Sequence, residues 1–503
     1  MNPPTIPDLT AAILPLENSY LQLPDSLYVR TVPTPVRGPS LLRYNHDLAA
    51  ELGLDTPPLI HPSSVEIFAG NRIPAGAQPI ALAYAGHQFG HFVPLLGDGR
   101  AVLLGEVVDR NGVRRDIQLK GAGRTPFSRN GDGRAALGPV LREYILGEAM
   151  HGLGIPTTRA LAMVTSGEGV HREQLEPGAI LTRVASSHIR VGTFEYLGQR
   201  GNRHDLRALA DYVIQRHYPQ CAACQAPYPA LLTALAQRQG TLIAQWLLVG
   251  FIHGVMNTDN MAISGETIDY GPCAFMDAFN PGQVYSAIDR YGRYAYDQQP
   301  DIGYWNLNQL ANSLLPLLAE TIPAAREVAQ QALDAYQQTF VATWESGLCA
   351  KIGLGREEQR PEDKTLALNF LKCLDRGQAD FTNSFRQLSE VDFTSPLLDE
   401  PLRQQFSDPA LFDTWAKEWR ARLAQAPLSA PLRRQQMRGV NPAYIPRNHR
   451  VQQTIEAVQA GNLLPLDELL TVVSRPYADH PELAAYRKGP TPAEQVLRTF
   501  CGT

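Results

Sequence analysis

The sequence predicts an α+β protein in which a strand-rich lobe is followed by a helical lobe and then by further helices. Two short strand-like runs, at 101–109 and 116–120, lie on either side of Asn111-Gly112, a dipeptide typical of tight hairpins. A nearly all-apolar run at 242–252 indicates a buried helix, and the chain beyond residue 308 keeps helical apolar spacing. Strands in the first part and helices in the second are typical of the α+β class.

Four segments are predicted along the chain. Residues 1–60 are rich in Pro and are expected to form an extended arm, followed by a strand-rich N-lobe at 60–195, a helical C-lobe at 196–350 and a helical C-terminal extension at 351–503. Helical apolar spacing, interrupted by Pro or Gly, is clearest in the segments 308–343, 364–388, 410–424 and 449–472.

The composition is that of a folded globular protein. Of the 503 residues, 44% are hydrophobic and 19% are charged, which excludes a disordered or a collagen-like chain. The formal net charge of -5 provides no overall basic field of the kind that binds nucleic acid. We therefore expect no nucleic-acid partner.

The cysteines and the N-terminal sequence indicate a cytoplasmic protein. Six cysteines in so long a chain do not make the disulfide framework of a small secreted domain. No basic residue precedes Arg30, and no apolar core of a signal sequence is present, so neither a secretory signal nor an Arg-rich transit peptide is indicated. The run at 242–252 is too short to cross a bilayer, and no membrane partner is expected.

Lys120 is the first candidate functional residue. Of the 45 basic residues, 39 are Arg and six are Lys, and Lys120 is the single lysine within residues 1–350. An ammonium group is a compact point charge on a flexible stem, and it enters narrow polar sites that exclude the planar guanidinium group. The alternative is chance, since some lysine must be the isolated one.

The order of elements before Lys120 favours a phosphate-binding role. The turn LLGDGR, with Gly97, Gly99 and Arg100, precedes the two predicted strands, and Lys120 ends the second strand. A glycine turn, a strand, a hairpin, a strand and a lysine follow one another in lobes that fold a loop over nucleotide phosphates. Because two glycines alone are weak evidence, an ordinary turn is the alternative.

After Lys120 comes a loop rich in glycine and arginine, GAGRTPFSRNGDGRAALG, which contains Asp132-Gly133. An amphipathic helix that opens with a proline follows this loop. In a kinase-like lobe a helical glutamate pairs with the strand lysine, and here Glu143 is the first choice and Glu148 the second. A solvated helix charge is the alternative for each glutamate.

The densest set of polar candidates lies between residues 241 and 279. His253 follows the predicted buried helix, and the next loop carries Asp259 and Asn260. Protein kinases use H-R-D-x-x-x-x-N and later D-F-G, in which the first Asp accepts a hydroxyl proton and the Asn and second Asp hold magnesium. His253 and Asn260 keep the seven-residue spacing, and Asp269-Tyr270-Gly271 stands in place of the second motif.

The position of the kinase base is occupied by Val255, whose side chain cannot accept a proton. The site instead carries Asp259 directly before Asn260. A kinase-like site changed in this way is not expected to transfer the terminal phosphoryl group in the usual pose.

Several long motifs resemble those of the selenoprotein O family, called YdiU in bacteria, over most of the chain. They are YAGHQFGHFVPLLGDGRAVLLGE, DIQLKGAGRTPFSRNGDGRAAL, LREYILGEAMHGLGIPTTRAL, ILTRVASSHIRVGTFEY, HGVMNTDNMAISGETIDYGPCAFMD and NPAYIPRNH. The resemblance implies a protein kinase-like, two-lobed fold that binds ATP in a flipped orientation. It also implies transfer of AMP to Ser, Thr or Tyr hydroxyls of proteins with release of diphosphate, Mg²⁺ or Mn²⁺ as the cofactor, and UTP as a second donor.

The same resemblance implies roles for individual residues. Asp259 would accept the proton, and Asn260 and Asp269 would hold the metal ion. The nucleotide would be bound by Gly97, Gly99, Arg100, Lys120, Asp132, Gly133, Glu143, Arg183, Arg190 and Asp269. Basic residues would neutralise the triphosphate, and the Asn and Asp oxygens are ligands of the kind that magnesium prefers.

The redox feature of the family is present in part. Its signature, a selenocysteine or cysteine near the C-terminus, corresponds to Cys501, but Tyr285 stands where some bacterial members have the partner cysteine. Cys273 is the nearest remaining thiol to the site and is interpreted as structural. Two other motifs resemble parts of zinc sites but are incomplete. Cys221-Ala-Ala-Cys224 lacks a second pair of ligands, and His87-Gln-Phe-Gly-His91 has Gln where a zinc protease has its general base.

Three functions are compatible with these residues. They are a protein adenylyltransferase, a phosphotransferase with a displaced base, and a nucleotide-binding module without activity. A decayed site usually loses its metal ligands, so the complete set of Lys120, Asp259, Asn260 and Asp269 argues against the third function.

Overall fold

The computed structural model of the protein describes residues 14–54, 62–355, 360–426 and 428–500. It is an α+β structure, as the sequence predicts. Twelve strands are found in the described residues: β1 (Tyr28–Arg30), β2 (Ser40–Tyr44), β3 (Ile80–Leu82), β4 (Gly86–Gln88), β5 (His91–Val93), β6 (Ala101–Val108), β7 (Arg114–Lys120), β8 (Ala135–Ala136), β9 (Arg159–His171), β10 (Leu175–Ala185), β11 (Phe251–Ile252) and β12 (Ala274–Phe275).

The main sheet is antiparallel and runs in the order β1-β3-β6-β7-β10-β9-β2, with the short β8 paired to β10. The predicted hairpin is confirmed: β6 and β7 are joined by a turn in which the N–H of Asp109 donates to the carbonyl of Val113 (2.8 Å). Gly112 has φ +78°, a conformation that glycine adopts without strain. The sheet ends at β1 and β2, so the described part of the segment expected as an extended arm forms both edge strands.

The two faces of the sheet are covered differently. One face packs against the short helices α1 (His46–Glu51) and α2 (Pro62–Phe68). The other face packs against α3 (Leu137–Gly152), and beyond that helix the same apolar core continues into the helical part of the chain. Every residue of α3 from Val140 to Met150 is buried, which fixes the position of its glutamates relative to the sheet.

Five helices form the middle of the chain: α4 (Val191–Arg200), α5 (Arg203–His217), α6 (Pro227–Leu248), α7 (Gln299–Leu318) and α8 (Ile322–Lys351). The helix predicted for 242–252 is wrong at its end. It is the last part of α6 and stops at Leu248, since Gly250 takes φ +73° and the next residues pair as β11 with β12. Strand pairing there overrides the helical preference of an apolar run.

Seven more α-helices follow in the described residues, namely α9 (Pro361–Arg376), α10 (Phe381–Leu388), α11 (Glu400–Arg403), α12 (Pro409–Leu423), α13 (Ala430–Val440), α14 (Asn448–Gln459) and α15 (Leu464–Ser474). The predicted helical segment 410–424 corresponds to α12 alone. The other three predicted segments each contain two helices separated by a short break, so apolar spacing located the helices but missed these breaks. Within the described part of the chain, no helix has the length and apolar character needed to span a bilayer.

Candidate active site

One cavity of about 780 Å³ collects the residues to which the sequence assigns a role. It lies between the main sheet, α3 and the loops that follow β11. Its walls contain all of the predicted nucleotide, proton and metal ligands: Gly97, Gly99, Arg100, Lys120, Asp132, Gly133, Glu143, Arg183, Arg190, Asp259, Asn260 and Asp269. The structure therefore places these residues together, while their roles stay predictions.

The glycine turn is held beneath the loop that follows Lys120. Gly97 has φ +70°, and a Cβ atom there would lie 2.3 Å from the ring of Phe127, so this position has no room for a side chain. The hydroxyl of Thr125 donates to the carbonyl of Asp98 (2.6 Å), and the hydroxyl of Ser128 donates to that of Gly99. The two segments together form one wall of the cavity.

Lys120 is the centre of a charged cluster. Its Nζ donates to Oε2 of Glu143 (2.5 Å) and to Oδ1 of Asp269 (2.8 Å). The first contact is the pairing expected for a strand lysine and a helical glutamate. Glu148 lies elsewhere, because both of its carboxylate oxygens accept hydrogen bonds from Arg159 at 2.8 and 3.0 Å.

Two arginines complete the cluster around Asp269. Nη1 of Arg183 donates to Oδ1 of Asp269 (2.7 Å) and to Glu143 (3.1 Å), and Nη1 of Arg190 lies 3.4 Å from Oδ2 of Asp269. Burial alone would raise the pKa of Asp269, but Lys120 and the two arginines outweigh burial and hold that pKa well below its usual range. Asp269 is therefore a carboxylate throughout the physiological pH range.

The remaining polar atoms of the two arginines differ in an informative way. Nε and Nη2 of Arg183 both donate to Oε1 of Gln118 (3.2 and 2.6 Å), whose Nε2 donates in turn to Asp98 (3.1 Å). Arg190 stacks over the ring of Tyr84 at 4.4 Å, and its Nη2 is buried with no hydrogen-bond partner among the described residues. Arg183 is fixed in place by its hydrogen bonds, whereas Arg190, which also lines the cavity, has one nitrogen without a bond.

Gln118 and Asp98 were not predicted as parts of the site. Gln118 precedes Lys120 by two positions on β7, so both side chains point to the same face of the sheet. That alternation is the sequence signal that could have identified Gln118. No comparable signal marks Asp98, which is brought to Gln118 by the fold of the glycine turn.

The loop after β11 presents Asp259 to the cavity. Its Oδ1 is buried and has no hydrogen-bond partner in the described part of the chain, and its Oδ2 lies 3.5 Å from Nε2 of Gln88. Burial raises the pKa of Asp259 to about 6, although the guanidinium of Arg190 opposes the rise. Asn260 donates from Nδ2 to the carbonyl of Val255 (2.9 Å), which fixes the orientation of its amide.

His253 supports this loop from the interior and does not reach the reacting groups. Its Nε2 lies 2.9 Å from the carbonyl of Ile268, and its ring stacks on Trp246 with centroids 5.5 Å apart. Burial lowers the pKa of His253, so the ring is neutral at physiological pH. The His253 ring therefore connects the Asp259 loop to the segment that leads into Asp269.

The motif His87-Gln-Phe-Gly-His91 forms the β4–β5 hairpin and contacts the Asp259 loop directly. The N–H of His87 donates to Thr258 Oγ1 (2.7 Å), and Thr258 donates to Glu195 (2.5 Å). The N–H of Phe89 donates to Oδ1 of Asn257 (3.0 Å). Asn257 and Thr258 are the two residues directly before Asp259, and the sequence did not suggest that this hairpin binds them.

Asp132 lies at the rim of the cavity and already has a partner. Its two carboxylate oxygens accept hydrogen bonds from Arg172 at 3.0 and 3.2 Å, and nearly half of the side chain is exposed. Although partial burial opposes the effect, Arg172 and the N–H of Arg134 lower the pKa of Asp132. Any contact of Asp132 with a ligand would occur at the mouth of the cavity.

Five cysteines lie within the described residues, and none of them forms a disulfide bond there: Cys221, Cys224, Cys273, Cys349 and Cys373. Cys273 is buried, in agreement with its structural interpretation, and Cys501 lies outside the described residues. His217 bonds to the hydroxyl of Ser187 (2.8 Å) and does not complete a site with Cys221. No group of three or more His, Cys, Asp or Glu residues suited to a metal ion occurs in the described part of the chain.

Comparison with known proteins identifies close relatives of the whole chain. The sequence profile of the family described as protein adenylyltransferase SelO matches residues 12–474. A protein named nucleotidyltransferase YdiU from Rhodopseudomonas palustris is 57% identical over 493 residues, which cover 98% of this chain and 100% of the relative. A protein of the same name from Bradyrhizobium diazoefficiens is 57% identical over 97% of this chain and 99% of the relative. Another, from Rhizobium rhizogenes, is 55% identical over 99% of this chain and 98% of the relative.

Proposed function

The chain belongs to the SelO family of protein adenylyltransferases, and from this membership we propose that it transfers AMP from ATP to Ser, Thr or Tyr hydroxyls of proteins and releases diphosphate. UTP is proposed as a second donor. The observation that carries the proposal is the position of Asp259, a buried carboxylate with an unpartnered oxygen. It shares one cavity with the cluster around Lys120, at a site where Val255 replaces the kinase base.

The fold supports a protein kinase-like architecture of two lobes. A strand lysine, a glutamate on the next helix, an Asp-Asn loop and a second aspartate follow in the kinase order and meet in one cavity. In this proposal the predicted N-lobe, 60–195, is completed by β1 and β2 and binds the nucleotide, and 196–350 is the C-lobe with the catalytic and metal-binding loops. The described residues of 351–503 belong to the helical extension.

The basic side chains of the cavity are suited to a triphosphate. Lys120, Arg183 and Arg190 converge on Asp269, and Arg100 lines the same cavity. These four cations outnumber the carboxylates of the cluster, so the site carries a net positive charge. Charge-assisted hydrogen bonds to phosphate are among the strongest that side chains make. Nη2 of Arg190, which has no hydrogen-bond partner among the described residues, is proposed to donate such a bond.

The side-chain oxygens of Asn260 and Asp269 form a donor set that is suited to Mg²⁺ or Mn²⁺. Asp269 is ionised, and because Nδ2 of Asn260 is engaged with Val255, its Oδ1 is the atom that would face a metal ion. Magnesium binds through one or two protein oxygens together with substrate phosphates, which agrees with a site of two protein ligands. When bound, the ion would neutralise charge on the phosphates.

Asp259 is proposed to accept the proton of the acceptor hydroxyl. Its raised pKa, about 6, leaves it deprotonated at neutral pH while making it a stronger base than an exposed aspartate. Oδ1, which has no hydrogen-bond partner among the described residues, is proposed to supply the accepting lone pair. The contact with Gln88, and the hydrogen bond that the β4–β5 hairpin donates to Thr258, hold the carboxylate in position.

Intact-mass analysis tests this function after incubation of the chain with ATP and Mg²⁺, using the chain itself and a test protein as acceptors. An added AMP supports the proposal, and an added phosphate supports a phosphotransferase with a displaced base. The proposed partners are ATP and proteins with acceptor hydroxyls. The cytoplasmic location stays a sequence-based prediction.

A further inference from the structure

A second cavity of about 530 Å³ lies beside the first. Its walls come from two segments of the chain, the loop at 284–290 and the C-terminal residues Leu497 and Arg498. Ile288 lines the first cavity, while its neighbours Ala287 and Asp289 line the second. The two cavities are therefore separated by one short stretch of backbone.

Main-chain hydrogen bonds hold the two walls of this second cavity together. Thr499 donates its N–H to the carbonyl of Tyr285 (2.8 Å) and accepts at its carbonyl from the N–H of Ala287 (3.0 Å). The hydroxyl of Thr499 also donates to the carbonyl of Pro272, a residue that lines the first cavity. The second cavity is thus a built feature of the fold, attached to the loop that follows Asp269.

The polar groups of the second cavity are suited to an anion. Arg290 and Arg498 are exposed, and neither makes an ion pair or side-chain hydrogen bond with the described residues. Ser286 is 4% exposed and lines the cavity, and its hydroxyl has no hydrogen-bond partner among the described residues. A buried hydroxyl without a partner is costly, so a ligand that accepts its hydrogen bond would be favoured.

One carboxylate, that of Asp289, also lines the second cavity. It accepts hydrogen bonds from the N–H groups of Arg293 (2.9 Å) and Tyr294 (2.8 Å), and its residue is buried. These bonds satisfy the carboxylate within its own loop. The two arginines are left as the charges that a ligand would meet.

We propose that the second cavity binds an acidic side chain of the acceptor polypeptide, a few residues away from the hydroxyl that receives the nucleotide. This inference rests on the proposed function, because it assumes a protein acceptor at Asp259. The planar fork of arginine matches a carboxylate in two-point hydrogen bonds. Exposed apolar side chains flank the cavity, Ile288 at 59% and Leu497 at 68% exposure, and would contact the neighbouring residues of an extended segment.

Phosphate groups of the donor nucleotide are a less suitable occupant. The first cavity already contains Lys120, Arg100, Arg183 and Arg190 for the triphosphate. The wall formed by residues 287–289 separates these cations from Arg290 and Arg498. An acceptor chain that crosses this wall reaches both cavities at once.

The test uses synthetic peptides with one Ser flanked by Ala and Gly, in which a single Glu is moved through the five positions on each side. A matched series carries Gln instead of Glu. Peptide binding is measured by fluorescence anisotropy, and AMP transfer is measured by mass spectrometry as kcat/KM. The wild type is compared with Arg290→Gln/Arg498→Gln, with Ser286→Ala and with a control double variant, Arg203→Gln/Arg326→Gln, which removes two exposed arginines elsewhere.

We expect one or two adjacent Glu positions to bind about tenfold more tightly than their Gln counterparts, since a lost charged contact of about 1.4 kcal/mol corresponds to that factor. The preference should persist in the control and disappear in Arg290→Gln/Arg498→Gln, with an unchanged melting curve and ATP affinity. Ser286→Ala should weaken the same Glu positions to a smaller extent.

The inference would be overturned if the wild type bound every Glu peptide as tightly as its Gln counterpart. It would also be overturned if Arg290→Gln/Arg498→Gln kept the wild-type preference for Glu. Failure of the proposed function gives a different result: no peptide gains AMP, whatever the anisotropy shows. Because binding and transfer are read separately, the acidic subsite is judged from binding even in that case.

Discussion

The ammonium group of Lys120 lies 2.8 Å from the carboxylate of Asp269. The proposed phosphate ligand and the proposed metal ligand are therefore each other's partners in this structure. When a nucleotide binds, phosphate oxygens would take over the donors of Lys120, Arg183 and Arg190, and Asp269 would be freed to hold a metal ion. Nucleotide binding and metal binding are thus expected to depend on each other.

Lys120→Arg should reduce nucleotide transfer at least about a hundredfold and leave the melting curve unchanged. The charge is kept, but a guanidinium cannot occupy the narrow space between Glu143 and Asp269, and small misplacements of a catalytic group cost about this much. The measurement is kcat/KM for transfer. Lys417→Arg, at an exposed lysine, is the matched control, and equal activity of the two variants would remove the special role of Lys120.

Asp269→Asn and Asp259→Asn should have different effects. The first variant should lose metal-dependent ATP binding, measured by calorimetry with and without Mg²⁺, because it removes the ionised metal ligand. The second should bind ATP normally and lose turnover by a factor of about 10² to 10⁴, the usual contribution of a general base. Parallel losses of ATP binding in both variants would contradict the division of roles.

Transfer should fall as the pH drops through about 6. Burial raises the pKa of Asp259 to about 6, and the base is active when deprotonated, so each pH unit below that value should lower kcat about tenfold. The pH dependence of kcat at saturating ATP is the measurement. A plateau that extends unchanged to pH 5 would show that Asp259 does not set the rate.

Gln88→Leu should shift the low-pH fall in kcat, which reports the pKa of Asp259, to higher pH. The amide of Gln88 lies 3.5 Å from Oδ2 of Asp259, and its hydrogen bond favours the charged form of the carboxylate. Without that donor the pKa of Asp259 should rise, kcat at neutral pH should fall, and the KM for ATP should stay the same. Gln88→Asn is the partial rescue. If the pH dependence of kcat is the same in Gln88→Leu as in the wild type, Gln88 has a packing role alone.

The sequence could predict those parts of the site that depend on local order. The Asn111-Gly112 hairpin follows from the turn chemistry of two residues, and the pairing of Lys120 with Glu143 follows from a strand and a helix that are adjacent in the chain. The helix expected at 242–252 ended early because β11 pairs with a strand more than twenty residues away. Such pairing is a property of the tertiary structure.

The supporting residues of the site were missed for the same physical reason. Gln88 and Asp98 act on residues distant in sequence, Asp259 and Gln118 respectively, and no short motif records these contacts. Arg183 and Arg190 were found through family resemblance, since an arginine in a strand or at a helix start is ordinary among 39 arginines. Long-range contacts of single polar residues carry little local signal.

The α-phosphorus of ATP is the proposed reacting atom, and positional labelling distinguishes it from the γ-phosphorus. The chain is incubated with Mg²⁺ or Mn²⁺ and a protein acceptor, with ATP that carries a tracer at either the α- or the γ-phosphate. Label from the α-position alone, absent in Asp259→Asn, is the predicted result. Label from the γ-position would contradict the proposed AMP transfer and indicate a phosphotransferase with a displaced base. Saturable ATP binding without label from either position would indicate a nucleotide-binding module without activity.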